Sequence, residues 1–570
     1  MSSTENIKNT EFNKNVAMVY TQEANFTGYK GLDFTKLDSI EDILTGEGIK
    51  INSNVNQIST VQFGGESTSA FGRLLVANSE PMVQAYGNRI YDSRVWRRTF
   101  FNSEYANISS ASGMSITTVT GYGKSYSDLR SRTIVSYQPG VSSDIKFTSI
   151  FSQPKTGTLQ YIGAINLEEG LAFGYSGLDF GILHRYNGAQ EIQKLTVTNA
   201  SAGGVRNATV TLNGFNNTVS ITGNSITGLC KEIADYFTGY RDSTDFYKSY
   251  QVNNNVYFVR QIAQPTTGAY SISANGITGS FSTFRAGKNP TEDWYMQTSW
   301  NLDKMNGNGI SSMNLNPLLM NIYNIKFGWL GALPIQFNIA KDDGQGFYPI
   351  HFIPWANTSK ATRPWANEPR FPIRIRAEKT SQNNSTDIVS IKNASVCGTT
   401  EGQTTKFAPP YSISSNLVRI NDGGGSNVSI ETPILSICAA PINPQLNTLD
   451  RRRLLVDSIN VASLEIPGGN ATAAMLWKVY IGLPINLKDG KFFTVPNYNL
   501  IWADTSATQL VFDSLYLVQS VMTNKATQQV LIFDDPFPIE FGEVLIITAQ
   551  NVDNGSDGAA ICSINGVEDL

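Results

Sequence analysis

At 570 residues the chain is too long for one hydrophobic core, and a 41% hydrophobic content with only 16% charged residues excludes a disordered polymer. The 43 basic residues against 47 acidic ones give a net charge of −4, which leaves no electrostatic footprint for nucleic acid. No apolar run of about 20 residues is present, so membrane insertion is not expected.

Residues 1–67 read as a polar arm in which "EFNKNVAMVYTQ" and "STVQF" are candidate strands. The opening "MSSTENIKNTEFNKN" lacks the apolar stretch of a secretion signal, which points to synthesis in a cytoplasm. Residues 68–105 have spaced apolar positions broken by Gly, Asn and Pro, and predict an irregular β region packed on the next domain. The clusters "RVWRRTF" (Arg94–Phe100) and "DRRRLL" (Asp450–Leu455) adjoin apolar runs and read as partner-facing or solvated edges.

From 106 to 402 the strand signals become regular. "MSITTVTGYG", "RTIVSYQPG", "DIKFTSIF" and "LQYIGAINL" alternate apolar and polar residues between glycine-bearing turns, as half-buried antiparallel strands do. "GLAFGYSGLDFGILHR" (Gly170–Arg185) predicts two strands joined at Ser176–Asp179. In "NIYNIKFGWLG" the alternating set is Ile322, Ile325, Phe327 and Leu330, interrupted by Gly328.

Residues 192–285 interrupt this domain with their own pattern. "KLTVTNA", "ATVTLNG" and "NTVSITG" predict short strands, and "NNVYFVRQ", "AYSISANG" and "SFSTFRAG" three more. Between the two sets Ile226, Leu229, Cys230, Ile233, Ala234 and Phe237 follow helical spacing, with Asn224 or Ser225 to cap the start and Gly239 the end. A loop this long must fold by itself, so an inserted α+β module is expected. Strands restart at "PILSICA" (Pro433–Ala439), and seven or so over residues 407–570 suit a C-terminal jelly-roll-like β-sandwich. The fold class is therefore mainly β and multidomain.

Catalytic and metal-binding constellations are sparse. His184 and His351, the only histidines, sit in strands outside any recognised motif, where a structural role is expected. Glu168 and Glu169 are adjacent and poorly placed to act as a glycosidase pair; a turn explains them, as it does Asp342–Asp343 and Asp534–Asp535. Asn301–Gly309 is oxygen-rich but lacks the EF-hand register, and Asn421–Gly425 lacks the helix of a phosphate loop. Cys230, Cys397, Cys438 and Cys562 match no zinc or disulfide spacing and read as buried free thiols. No enzyme activity, catalytic residue, cofactor or metal is expected. Trp355 and Trp365, with Arg363 between them, crowd one segment in which "PWAN" occurs twice. Exposed, they would form a glycan-binding site by stacking; buried, they would fill a sandwich edge.

Motif order adds a resemblance. "SAFGRLLVANSEP", "IYDSRVW", "RSRTIVSYQPG", "LQYIGAINLEEGLAFGYSGLDFGILHRYNG", "TEDWYMQTSWNLDKMNGNG", "NPLLMNIYNIKFGWLG" and "LIITAQNV" follow one another as in a family of virion structural proteins. These occur in large DNA viruses of algae and protists and in tailed phages, and the likeness covers residues 68–570. It implies a concanavalin/laminin-G-like (lectin-like) sandwich over 106–402 and a jelly roll after it. It also implies a surface, fibre, spike or capsid-associated role in the virion, in particle assembly and host attachment. The partners implied are copies of the chain, a trimer being favoured, other virion proteins and host surface glycans. A carbohydrate-binding attachment protein and a glycan-degrading enzyme are the alternatives.

Overall fold

The computed structural model describes residues 50–51, 61–62 and 79–568, except 122, 138–140, 201–204, 224, 242–245, 329, 343–345, 381–386, 402–407, 421–429, 466–472, 499 and 554–556. Residues 1–68 form one unit, described only by an antiparallel ribbon pairing Lys50–Ile51 with Val61–Gln62. The rest of the N-terminal arm, Asn224, Asp343, Asn421–Gly425 and the side chains of Asp534 and Asp535 lie outside the described residues. Residues 69–570 form the second unit.

The alternating segments fold into antiparallel strands that stack as two sheets. One runs Thr291–Met296, Asp179–Tyr186, Gly170–Ser176, Thr158–Ile165, Arg370–Lys379, Ser125–Ser136, Trp96–Phe101. The other places Ser143–Phe151 between Asn321–Phe327 and Val389–Asn393. Ser395–Glu401 also pairs with Ser143–Phe151 and carries Ser79–Tyr86 on its far side. Thus Ser79–Tyr86 and Trp96–Phe101 are strands of the two sheets, and the sandwich begins ahead of residue 106 rather than receiving an irregular region against it. Its core joins Leu129, Ile162, Phe173, Ile182 and Ile375 from one sheet to Phe147, Tyr323, Ile325, Phe337 and Ile391 from the other. Each such side chain contributes roughly 1.5–3 kcal/mol on burial. Phe173 sits at the centre, 4.8 Å from the Tyr323 ring and 5.5 Å from Phe337.

The Gly170–Arg185 stretch is a hairpin as expected, with Ser176 opposite Asp179 and a two-residue turn. Gly177 takes φ +62 there, the positive value a type II′ turn needs at its first central position. The inward face of Asn321–Phe327 differs from the sequence expectation: Tyr323, Ile325 and Phe327 are buried, while Ile322 and Leu330 are exposed. A period of two cannot include both Ile322 and Ile325 on one face.

The insertion is a seven-stranded antiparallel sheet crossed by one helix, Ile226–Phe237. Ser225 caps the helix by accepting from the Gly228 N–H at 3.0 Å, and Gly239 follows its end at φ +84. Tyr247–Val252, a strand the sequence pattern did not mark, pairs with Asn255–Arg260.

Residues 410–568 form the C-terminal sandwich. Its principal strands, in chain order, are Pro410–Ser414, Thr432–Ala439, Leu454–Leu464, Met475–Gly482, Tyr516–Thr523, Gln528–Ile539, Val544–Asn551 and Gly558–Glu568. One sheet runs first, eighth, third, sixth; the other runs second, seventh, fourth, fifth, with Ile501–Asp504 added beside the second. That interleaving is the jelly-roll order. The first strand precedes the point at which sequence signals restart.

The inserted module covers the outer face of the second jelly-roll sheet. Tyr250, Val252, Tyr257 and Val259 form one buried cluster with Cys438, Tyr480, Trp502, Val544 and Ile546. Strands buried on both faces lose polar alternation, which explains the unbroken apolar runs "PILSICA" and "VLIIT". Cys230, Cys438 and Cys562 are buried free thiols, and Cys397 is half-buried. No helix among the described residues is long and apolar enough to cross a membrane.

Candidate functional site: a cationic cavity where three domains meet

The two tryptophans are inside the sandwich core. Trp365 packs edge-on to Phe327 (5.4 Å) and stacks on Phe371 (6.1 Å). Trp355 Nε1 donates to the Arg363 carbonyl at 2.8 Å, and the Arg363 guanidinium lies 4.7 Å over the Tyr186 ring. Neither indole presents a free face on which a sugar could stack. His184, wholly buried beside Tyr186, Trp355 and Trp365, has its pKa pushed down to about 4 by burial and is neutral. His351 is likewise lowered to about 4 by burial, and its Nδ1 accepts from the Asn301 N–H at 3.2 Å. Asp303 accepts from the N–H groups of Met305 (2.8 Å) and Ser311 (2.7 Å), so its oxygens serve the loop backbone. Among the described residues no group of three or more His, Cys, Asp or Glu is placed to hold a metal.

Glu168 and Glu169 do occupy the expected turn, where Asn166 Oδ1 accepts from both their N–H groups. They also do more than turn chemistry requires. Glu168 is ion-paired with Arg285 of the module (2.5 Å) and with Arg451 of the jelly roll (3.0 Å). Burial acts to raise its pKa, but Arg451 and then Arg285 outweigh it and hold the carboxyl below its ordinary value. Glu169 accepts from the N–H groups of Asn367 and Glu368, and burial lifts its carboxyl to about 7. Arg451 also reaches Glu368 at 3.3 Å. One buried arginine of "DRRRLL" thus ties the jelly roll to the first sandwich, and this cluster faces the interior of the chain rather than a partner or solvent.

Beside this network lies a cavity of about 260 Å³, lined by the sandwich, the module and the jelly roll. Its floor is the outer face of the first sandwich sheet. In "RVWRRTF", "DLRSRTIV" and "FPIRIRAE" alternation sends arginines to that face, and strand register then aligns them. Arg97 lies directly opposite Arg130, and Arg130 directly opposite Arg374. Lys248 of the module lines the same cavity.

The acids nearby do not balance these charges. Arg132 and Arg97 are both ion-paired with Glu543, the former at 2.5 Å. Arg374 shares Asp128 with Arg376, at 3.3 and 3.1 Å, and its Nη1 is buried without a hydrogen-bond partner. Neither Arg130 nor Lys248 has a side-chain hydrogen bond or ion pair among the described residues. Burial, then Arg374, lowers the Arg130 pKa to about 10. Burial, then Arg130, Arg97 and Arg374, lowers that of Lys248 to about 7. Sequence reasoning missed this site because its signal, one arginine at the same register position in each of three strands, has meaning only once the strands are paired.

In class, the chain is a multidomain β protein that joins a two-sheet antiparallel β-sandwich, an inserted α+β module and a jelly roll. No family model matches it, and no curated relative does. Among solved structures, the metal-free carbohydrate recognition domain of Emp46p is 10% identical, with 58% of this chain and 100% of that chain covered and a TM-score of 0.20. A basic winged bean lectin with Tn-antigen is also 10% identical, covering 54% and 98% at a TM-score of 0.17. An archaeal virus triple-jelly-roll turret protein is 7% identical, covering 87% and 97% at a TM-score of 0.14. Superpositions this loose carry no argument; the class assignment rests on the strand order above.

Proposed function

We propose that this chain is a non-enzymatic structural component of a virus particle, made in the host cytoplasm and assembling with copies of itself, as a trimer, and with other particle proteins. The observation that carries the reading is the uncovered side of the jelly roll. Its fifth and sixth strands, Tyr516–Thr523 and Gln528–Ile539, are edge strands of the two sheets and follow one another in the chain. They expose Leu517, Met522, Val530 and Ile532, the last at 73%. A sandwich edge with unpaired backbone and apolar side chains invites pairing with another subunit. The collinear motifs resembling virion proteins support the same reading, as does the welding of three β domains by buried ion pairs.

Light scattering on the purified chain tests the assembly, with Ile532→Glu as the disrupting variant. A trimer that Ile532→Glu reduces to monomer is expected; a wild-type monomer overturns it. Antibody labelling of purified particles tests the location, and particles free of label would remove the virion assignment. Glycan binding through Trp355 and Trp365 forms no part of this proposal, because both indoles are enclosed.

A further inference from the structure

We propose that the cavity between the three domains is a binding site for a small, multiply charged oxyanion of the phosphate or sulfate type, held by the Arg97–Arg130–Arg374 ladder and Lys248. The inference is independent of the reading of the chain as a particle protein.

Like charges directly opposite on neighbouring strands are destabilising, and here three guanidiniums occupy one cross-strand row. A fourth cation, Lys248, lines the cavity from the module. Glu543 is held by Arg97 and Arg132 and Asp128 by Arg374 and Arg376, while Glu540, the other carboxylate lining the cavity, attracts Arg132. Arg130 is attracted by Asp128, a carboxylate already ion-paired with Arg374 and Arg376; Lys248 makes no ion pair among the described residues, and Arg374, 3% exposed, has an Nη1 without a hydrogen-bond partner. Unpaired cations are normally left in bulk water, where solvation is cheap. Here they are gathered under a domain interface, around a cavity of about 260 Å³.

That volume suits one compact anion. Planar guanidiniums present forked N–H donors that match tetrahedral oxyanions, and the ammonium adds a point charge. Arg130 and Lys248 remain partly exposed, so solvent reaches the cavity. An anion bound there would touch the sandwich and the module at once and strengthen their junction.

The test uses the full chain with inorganic pyrophosphate, phosphate and sulfate against chloride at matched ionic strength, read by thermal shift and calorimetric titration. Pyrophosphate should raise the melting temperature by about 5 °C at saturating concentration, with sulfate and phosphate less effective and chloride inert. Lys248→Met and Arg130→Gln should each weaken binding about 10- to 100-fold. Both variants should melt no lower than wild type without anion, because each removes a cation that its cationic neighbours repel. Arg94→Ala, an exposed residue paired with Asp92 away from the cavity, should bind normally. Equal shifts with pyrophosphate and chloride, or an undiminished response in both cavity variants, would overturn the proposal.

Discussion

Arg451→Met is the sharpest probe of how the domains are joined. The guanidinium is 5% exposed and bridges Glu168 Oε2 at 3.0 Å and Glu368 Oε2 at 3.3 Å. At an effective dielectric near 20, a pair at 3 Å has a gross attraction of about 5 kcal/mol, much of it offset by desolvation. Removing the cation strands the carboxylates unequally. Glu168 retains Arg285, whereas Glu368 keeps Arg370 at 3.8 Å and the main-chain N–H of position 451 at 3.3 Å, and Glu169 loses a positive charge that opposes its burial. Breaking a buried pair in this way costs about 3–5 kcal/mol. At about 2–4 °C per kcal/mol for large domains, the melting temperature should fall by about 10 °C. Calorimetry should also resolve the jelly roll melting apart from the sandwich, since the lost contact joins them. Arg451→Met combined with Glu368→Gln should recover part of the loss, about 1–2 kcal/mol, by discharging the stranded partner. A single variant that melts within about 1 kcal/mol of wild type would refute the assignment of Arg451 as the tie between domains.

Lys248 sets a pH dependence of known sign. Its folded pKa, about 7, lies below its ordinary 10.5, so between these values the unfolded chain holds the proton that the folded chain has released. Stability should therefore rise with pH across that window, the penalty being fully present below pH 7. The groups facing Lys248 are Arg97, Arg130, Arg374, Tyr250, Glu540 and Glu543; denaturant titrations at pH 6.5 and 9.5 should show a rise that Lys248→Met reduces. Trp365→Ala should cost about 3–5 kcal/mol because it empties a core position, and a soluble Trp365→Phe variant should give a glycan-array profile identical to wild type. Ser225→Ala should lower stability by about 1 kcal/mol through loss of the helix cap, measurable by urea unfolding.

Much of the fold could be read from local pattern, because the signals were local. The hairpin at Ser176–Asp179, the helix over Ile226–Phe237 and the edges of the insertion all depend on spacing and turn chemistry within about 20 residues. What escaped was long-range. Pro410–Ser414 pairs with Gly558–Glu568 across almost the whole jelly roll, and five residues carry too little pattern to announce a strand. The apolar character of Ile322 suggests an inward position, yet register places it outside. The arginine ladder was invisible for the same reason: Arg97 and Arg374 are separated by most of the sandwich in sequence, and only pairing through Arg130 makes them neighbours. The Arg451 cluster was misassigned because a short basic run beside an apolar one looks the same whether it faces solvent or another domain.

The insertion leaves from Tyr186 and returns at Thr291, and those two residues are partners in adjacent strands. Geometrically, the sandwich would be satisfied by a short turn at this place. Loop closure costs grow only as the logarithm of length, so the sandwich scarcely senses how much chain is spliced in. Constraint on the module comes instead from the jelly roll, whose Tyr480, Trp502, Val544 and Ile546 it covers. A replacement module of any length could keep the sandwich intact, but only one carrying a matching apolar face would keep the jelly roll soluble. The insertion site thus tolerates exchange on one side and selects on the other.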